Sequence, residues 1–102
     1  MNQRGRLAPT PTGFLHVGHA YTFGIAAERA AGKLILRVED LDATRCNPQF
    51  TTAAIDDLRW LGLSWTEGPD GEGDHGPYFQ SQRSDFYLQA WQRLAQQKNI
   101  YP

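Results

Sequence analysis

Apolar residues recur with different rhythms along this chain, and each rhythm marks an element. The run Arg6-Leu7-Ala8 is a brief strand candidate, cut off by Pro9, Pro11 and Gly13, which leave a turn or an extended loop. From Leu15 the pattern becomes helical: Ala20, Phe23, Gly24, Ala27 and Ala31 follow at intervals of three and four, and Gly32 falls where a helix ends. The small residues of this stripe let the helix lie close against a sheet. Residues 33–40 carry a continuous apolar centre, which predicts a strand buried on both faces of a parallel sheet. Asn47 before Pro48 is an N-cap with proline in the first turn, and Ala54, Leu58 and Leu61 mark one face of a second helix that stops at Gly62. Between 66 and 77, Gly68, Gly71, Gly73 and Gly76 are mixed with Asp70, Glu72 and Asp74, the composition of a loop. A third helix is predicted over 82–97, with Tyr87, Ala90, Trp91 and Leu94 on one face and Ser81 as its cap. No internal repeat is present.

Strand, helix, strand in that order is the unit of a parallel sheet, and its crossover is right-handed. The expected fold is α/β, a Rossmann-like nucleotide-binding domain. With 102 residues and two or three strands in hand, the chain amounts to the amino-terminal half of such a fold. A hydrophobic content of 40% with 21% charged residues supports one packed domain. The net charge of −1 gives no global attraction to nucleic acid, so contact with RNA would depend on local basic patches or on parts of the protein outside these residues. Cys46 is the only cysteine, which excludes an intramolecular disulfide and points to a reducing compartment. No stretch approaches the roughly 20 apolar residues of a membrane span, and the opening Met1–Arg6 lacks the apolar core of a secretory signal. A soluble, cytoplasmic protein without membrane partners is expected.

Two segments carry candidate chemistry, 6–19 and 37–42, each at the carboxyl end of a predicted strand. In open α/β sheets ligands bind outside those ends, so both segments are expected to border one cleft. His16-Val17-Gly18-His19 falls at the first turn of a helix, where free N–H groups and roughly half a positive charge favour a phosphate. Two imidazoles three positions apart can each donate to that anion, and Gly18 leaves room for a nucleotide. Their work would be electrostatic. Capping or packing would also account for a histidine pair; zinc fits less well, because the pair supplies two ligands and Cys46 is the sole thiol. Glu39 shares a strand face with Ile35 and Arg37, so it must be solvated, paired or neutralised. A salt bridge with Arg37 or Arg6 would satisfy it. Recognition of a substrate ammonium group would too, with Arg6 capturing a carboxylate.

The run Arg6-Leu-Ala-Pro-Thr-Pro-Thr-Gly-Phe-Leu-His-Val-Gly-His19 resembles the glutamate signature of class I aminoacyl-tRNA synthetases, including their HIGH motif, and Leu36-Arg-Val-Glu-Asp-Leu-Asp42 matches the strand that follows it. Pro77–Arg83 and Ile100–Pro102 are similar to further family segments, so the likeness covers nearly the whole chain in order. The resemblance implies a HUP-type Rossmann-like domain, with residues 1–102 as part of its catalytic domain. It implies that Arg6, Ala8, Thr10 and Glu39 hold glutamate, with Thr10 keeping the hydroxyl of the commoner serine. Pro9, His16, Gly18 and His19 would hold ATP, and His16 and His19 would be the catalytic pair. His19 departs from many glutamyl enzymes while restoring the general HIGH pattern. Leu41, Arg45 and Pro48 make the Glu39 segment similar to glutamyl-queuosine tRNA(Asp) synthetases rather than full-length glutamyl-tRNA synthetases.

The implied activity is ATP-dependent formation of glutamyl-adenylate and transfer to tRNA(Asp) or tRNA(Glu), with Mg2+ accompanying ATP. No metal ligand is expected within the chain. The family's lysine-rich mobile loop, zinc-binding cysteines and tRNA-binding parts are not among these residues, so zinc would have to be held by residues beyond Pro102; either the chain continues in the native protein or it is a truncated product. Two other classes compete with this reading: an HxGH nucleotidyltransferase acting on a small phosphorylated acceptor, and an inactive ligand-binding fragment. His75 is expected to be a solvated loop residue, Cys46 a small packed one, and Trp60, Trp65 and Trp91 residues of core or interface packing.

Overall fold

The computed structural model describes residues 4–70 and 73–101. Strand β1 (Gly5–Leu7) leads through an extended loop to helix α1 (Val17–Ala30), then strand β2 (Leu34–Leu36) and helix α2 (Pro48–Trp60). A 3-10 turn (Gln80–Arg83) runs directly into helix α3 (Ser84–Gln96). β1 and β2 pair in parallel with Gly5 beside Leu34, Arg6 beside Ile35 and Leu7 beside Leu36. The strand-helix-strand unit expected from the sequence is present.

β2 is shorter than predicted as a regular strand, but its backbone stays paired well beyond Leu36. Arg37 N–H donates to the Leu7 carbonyl (2.8 Å) and Glu39 N–H to that of Pro9 (2.9 Å). On the other edge, Leu36 N–H donates to Glu67 (2.9 Å) and Val38 N–H to Tyr78 (2.8 Å). Two isolated parallel bridges, Ile35 with Glu67 and Val38 with Phe79, complete that edge. β1 cannot extend in step, because Pro9 and Pro11 have no N–H to offer a ladder.

Burial alternates along this strand. Leu34, Leu36 and Val38 are buried to 1%, 0% and 1% exposure, whereas Ile35, Arg37 and Glu39 are only part-buried. The expectation of a strand buried on both faces is therefore corrected. Leu7, Leu34 and Leu36 pack with Ala30 of α1 and Leu58 of α2, supported by Phe23, Ala26, Ala27 and Ile55, so both helices cover the same face. Close approach of α1 depends on Gly5: a Cβ there would lie 2.6 Å from the Ala30 Cβ and 3.3 Å from the Ala26 carbonyl oxygen.

The helix limits follow local chemistry. Ala31 caps α1 in the left-handed region at φ 51°, followed by Gly32 at φ 87°. Asn47 caps α2 by accepting from Gln49 N–H at 2.9 Å, with Pro48 at the first helical position. The predicted Ser81 cap of α3 is not formed: the N-cap residue is Arg83 and no side chain caps the helix. α3 has no buried residue, and Trp91 on its apolar face is 57% exposed. Trp60 is 85% exposed as well, so of the tryptophans expected to pack, Trp65 alone joins the core. It is held by Asp70, which accepts from its indole N–H (2.9 Å), while Arg59 pairs with Asp70 and lies over the Trp65 ring.

Gly5→Ala is expected to destabilise the protein by about 1–3 kcal/mol through overpacking against α1. Urea unfolding at equilibrium would register this as a lower midpoint with an unchanged slope; an unaltered midpoint would contradict the close approach.

Candidate active site

The loop 8–16 carries the first motif from the end of β1 to the start of α1. His16, in extended backbone at φ −130°, is the N-cap of α1. Its Nδ1 accepts from Gly18 N–H at 3.1 Å, and His19 Nδ1 accepts in return from His16 N–H at 3.0 Å. The pair is a capping box built from imidazoles, with ring centroids 3.9 Å apart. An Nδ1 that accepts carries no proton, so each neutral ring bears its hydrogen on Nε2. Two of the amides expected to be open to phosphate, those of His16 and Gly18, are thereby occupied by the histidines themselves, and the donors left for an anion are the Val17 and His19 amides and the Nε2–H groups. A cavity of about 280 Å³ adjoins His16, lined also by Leu15, Val17, Ala20, Asp57 and Trp60.

The second motif lies on the sheet face turned away from α1. Register sets Arg6 beside Ile35, and Arg37 and Glu39 follow at alternate positions. Glu39 is ion-paired: Arg37 Nη2 lies 2.7 Å from its Oε1. Of the two partners considered from the sequence, Arg37 is the one engaged; Arg6 is exposed. The two motifs are joined where Glu39 N–H meets the Pro9 carbonyl, and again where Asn47 N–H donates to Pro11 (3.1 Å). Pro9 and Pro11 are buried, Ala8 is half-buried, and Thr10 and Gly18 are exposed. The cavity beside His16 includes no residue of the Glu39 segment.

Next to Glu39, Asp40 receives Ser81 twice, from its N–H and its hydroxyl, each at 2.8 Å. This clasp, together with Gln80 N–H donating to Val38 (2.8 Å), holds residues 78–81 against the end of β2. Beyond it a cavity of about 400 Å³ is lined by Pro11, Asp40, Cys46, Thr51 and Phe79 among others. Burial pushes the half-buried Cys46 thiol up from its ordinary pKa, and the Asp42 and Asp40 carboxylates add to that, so it is not an activated nucleophile.

A third cluster lies outside both motifs. Glu67 Oε1 accepts from His75 Nδ1 (2.8 Å), the Tyr78 hydroxyl (2.8 Å) and Asp74 N–H (3.1 Å), so His75 is bonded rather than merely solvated. These donors, His75 foremost and Tyr78 next, hold the Glu67 carboxyl below its ordinary pKa. Neither this cluster nor the Asp40–Ser81 clasp has a periodic signal, because its members come from distant turns. The only hint was the family-like stretch from Pro77 to Arg83.

Residues 3–101 match the family model for the catalytic domain of class I tRNA synthetases (E and Q). The chain belongs to this family. Within it, the chain is 52% identical over 101 residues to a glutamyl-Q tRNA(Asp) synthetase of Symbiobacterium thermophilum, covering 96% of this chain and 31% of that protein. It is 48% identical over 102 residues to glutamate–tRNA ligase 2 of Syntrophus aciditrophicus, covering 97% of this chain and 21% of the relative. Among solved structures, the glutamate tRNA ligase of Elizabethkingia meningosepticum, crystallised in complex with its amino acid, superposes with a TM-score of 0.81 at 34% identity over 94% of this chain and 20% of that one. The chain thus spans about a third or less of these synthetases, and the match supports the Rossmann-like reading of the fold.

A carboxyl held low in the folded state stabilises above its unfolded pKa, and that contribution disappears as pH falls through the folded value. Wild type is therefore expected to be more stable than Glu67→Gln at neutral pH, with the gap closing below about pH 4.5. Thermal midpoints of the two proteins measured across that range check this, and a gap independent of pH would refute it.

Proposed function

We propose that this chain forms the part of a synthetase catalytic domain that binds glutamate and ATP, and that the protein activates glutamate as glutamyl-adenylate and transfers it to a tRNA. What supports the reading is the hydrogen bond between Glu39 and Pro9, which ties the segment bearing the carboxylate to the loop that leads into the histidine pair. Glu39 receives the ammonium group of the amino acid, Arg6 a carboxylate, and Ala8 and Thr10 border it. Pro9 and Gly18 admit the nucleotide, while His16 and His19 direct Nε2–H donors at its phosphates. The carboxylate of glutamate attacks the α-phosphorus, the bond to the bridging oxygen breaks, and pyrophosphate leaves. In the second step a hydroxyl of the RNA takes the acyl group and AMP departs.

Proximity and charge stabilisation supply the rate, with no covalent enzyme intermediate. Among the described residues no group of three or more His, Cys, Asp or Glu side chains could hold a metal ion. Mg2+ enters as the companion of the triphosphate. No helix of the described residues is long and apolar enough to cross a membrane, and the substrates set the reaction in the cytoplasm.

The acceptor is proposed to be queuosine-bearing tRNA(Asp). Leu41, Arg45 and Pro48, and the 52% identity to a glutamyl-Q tRNA(Asp) synthetase, favour it over tRNA(Glu). Charging of the two purified tRNAs with labelled glutamate distinguishes them.

Glutamate-dependent ATP–pyrophosphate exchange tests the first step; its absence with the full-length protein would overturn the reading. His16→Asn retains an effective capping side chain but removes the Nε2 donor. It is expected to leave the unfolding midpoint nearly unchanged and to cost about 2–4 kcal/mol in kcat/KM for ATP. Unchanged kinetics in this variant would remove His16 from the proposed role.

A further inference from the structure

Two nitrogens of the Arg37 guanidinium converge on one oxygen of Glu39: Nη2 at 2.7 Å and Nε at 3.3 Å from Oε1. No hydrogen bond of the described residues uses Oε2. The two side chains are 24% and 21% exposed, so they are partly sheltered from water but open to a ligand. We infer that Arg37 is a positioning residue for Glu39, pinning one carboxylate oxygen so that the other is presented to the ammonium group of the amino-acid substrate. This rests on the role given to Glu39 above.

A glutamate side chain at a strand end can sample several rotamers, and each must be given up when a ligand is bound. A guanidinium with two donors on one oxygen removes much of that freedom beforehand, so less has to be lost on binding. The neighbouring cation would by itself repel an ammonium group. Arg6 stands beside Ile35 on the same side and adds to that repulsion, but two guanidiniums against one carboxylate attract the carboxylates of the substrate. This positive surplus complements an acidic amino acid, whose two carboxylates outweigh its ammonium. Preorganisation and charge complementarity then act together, and Arg37 contributes to both without having to touch the substrate.

The test uses glutamate-dependent ATP–pyrophosphate exchange with the full-length protein and four variants: Arg37→Met, Arg37→Lys, Glu39→Gln and the Arg37→Met/Glu39→Gln double variant. Arg37→Met keeps the length but removes charge and donors, and is expected to raise the KM for glutamate roughly tenfold or more while the KM for ATP moves less than about twofold. Arg37→Lys, with a single point of contact, should fall between, and it carries the test if the methionine variant does not fold. In the Glu39→Gln background the Arg37→Met effect should largely vanish, because the partner through which it acts is gone. An unchanged or lowered KM for glutamate, an equal rise for ATP, or full additivity in the double variant would overturn the inference. If wild type shows no glutamate-dependent exchange, the reading of Glu39 falls and takes this inference with it. If Glu39→Gln behaves as that reading requires and Arg37→Met does not, only the positioning role fails.

Discussion

The backbone of residues 34–39 is the constraint on which the other parts depend. It is hydrogen-bonded on both edges, to β1 and Pro9 on one side and to Glu67 and Tyr78 on the other. Leu34, Leu36 and Val38 point from it into the core, while Arg37 and Glu39 project from the opposite face. A single strand therefore anchors the hydrophobic interior and carries the charged pair. Shifting its register by one residue would exchange those two faces, burying an ion pair and exposing leucines.

The end of the same strand gathers the contacts that hold the candidate substrate groups. Glu39 is fixed by its own N–H on Pro9, by Arg37 at its side chain and by the Asp40–Ser81 clasp next to it. The histidine pair is fixed differently, by the helix it starts. Its Nδ1 atoms satisfy amides that would otherwise lack partners, so structural and proposed chemical duties fall on different nitrogens of one ring.

Much of this was legible from residue order. The α1 stripe, the Asn47-Pro48 start of α2 and its stop at Gly62 are local signals, and each appears at the expected place. Short-range rules failed where distant segments decide the outcome. The apolar centre of 33–40 suggests two covered faces, yet the face that alternation gives to Ile35, Arg37 and Glu39 stays charged, and the pairing register adds Arg6 to it. Ser81 has the right chemistry for a cap and sits near the start of a helix, but Asp40 offers a charged acceptor at two oxygens and wins. Trp60 and Trp91 fit core or interface packing by their helix positions, and both lie outside the core, since a helix pattern defines a face without saying what lies against it.

The Asp40–Ser81 clasp joins residues 41 positions apart, and Val38 likewise waits for Tyr78 to complete its edge. On a ribosome, β1, α1 and β2 can associate as soon as they emerge, but the outer edge of β2 stays open until the later segment is translated. During that interval the nascent chain presents an unpaired strand margin, the kind of surface on which chains aggregate. The time taken to translate residues 40–80 thus sets how long that hazard lasts.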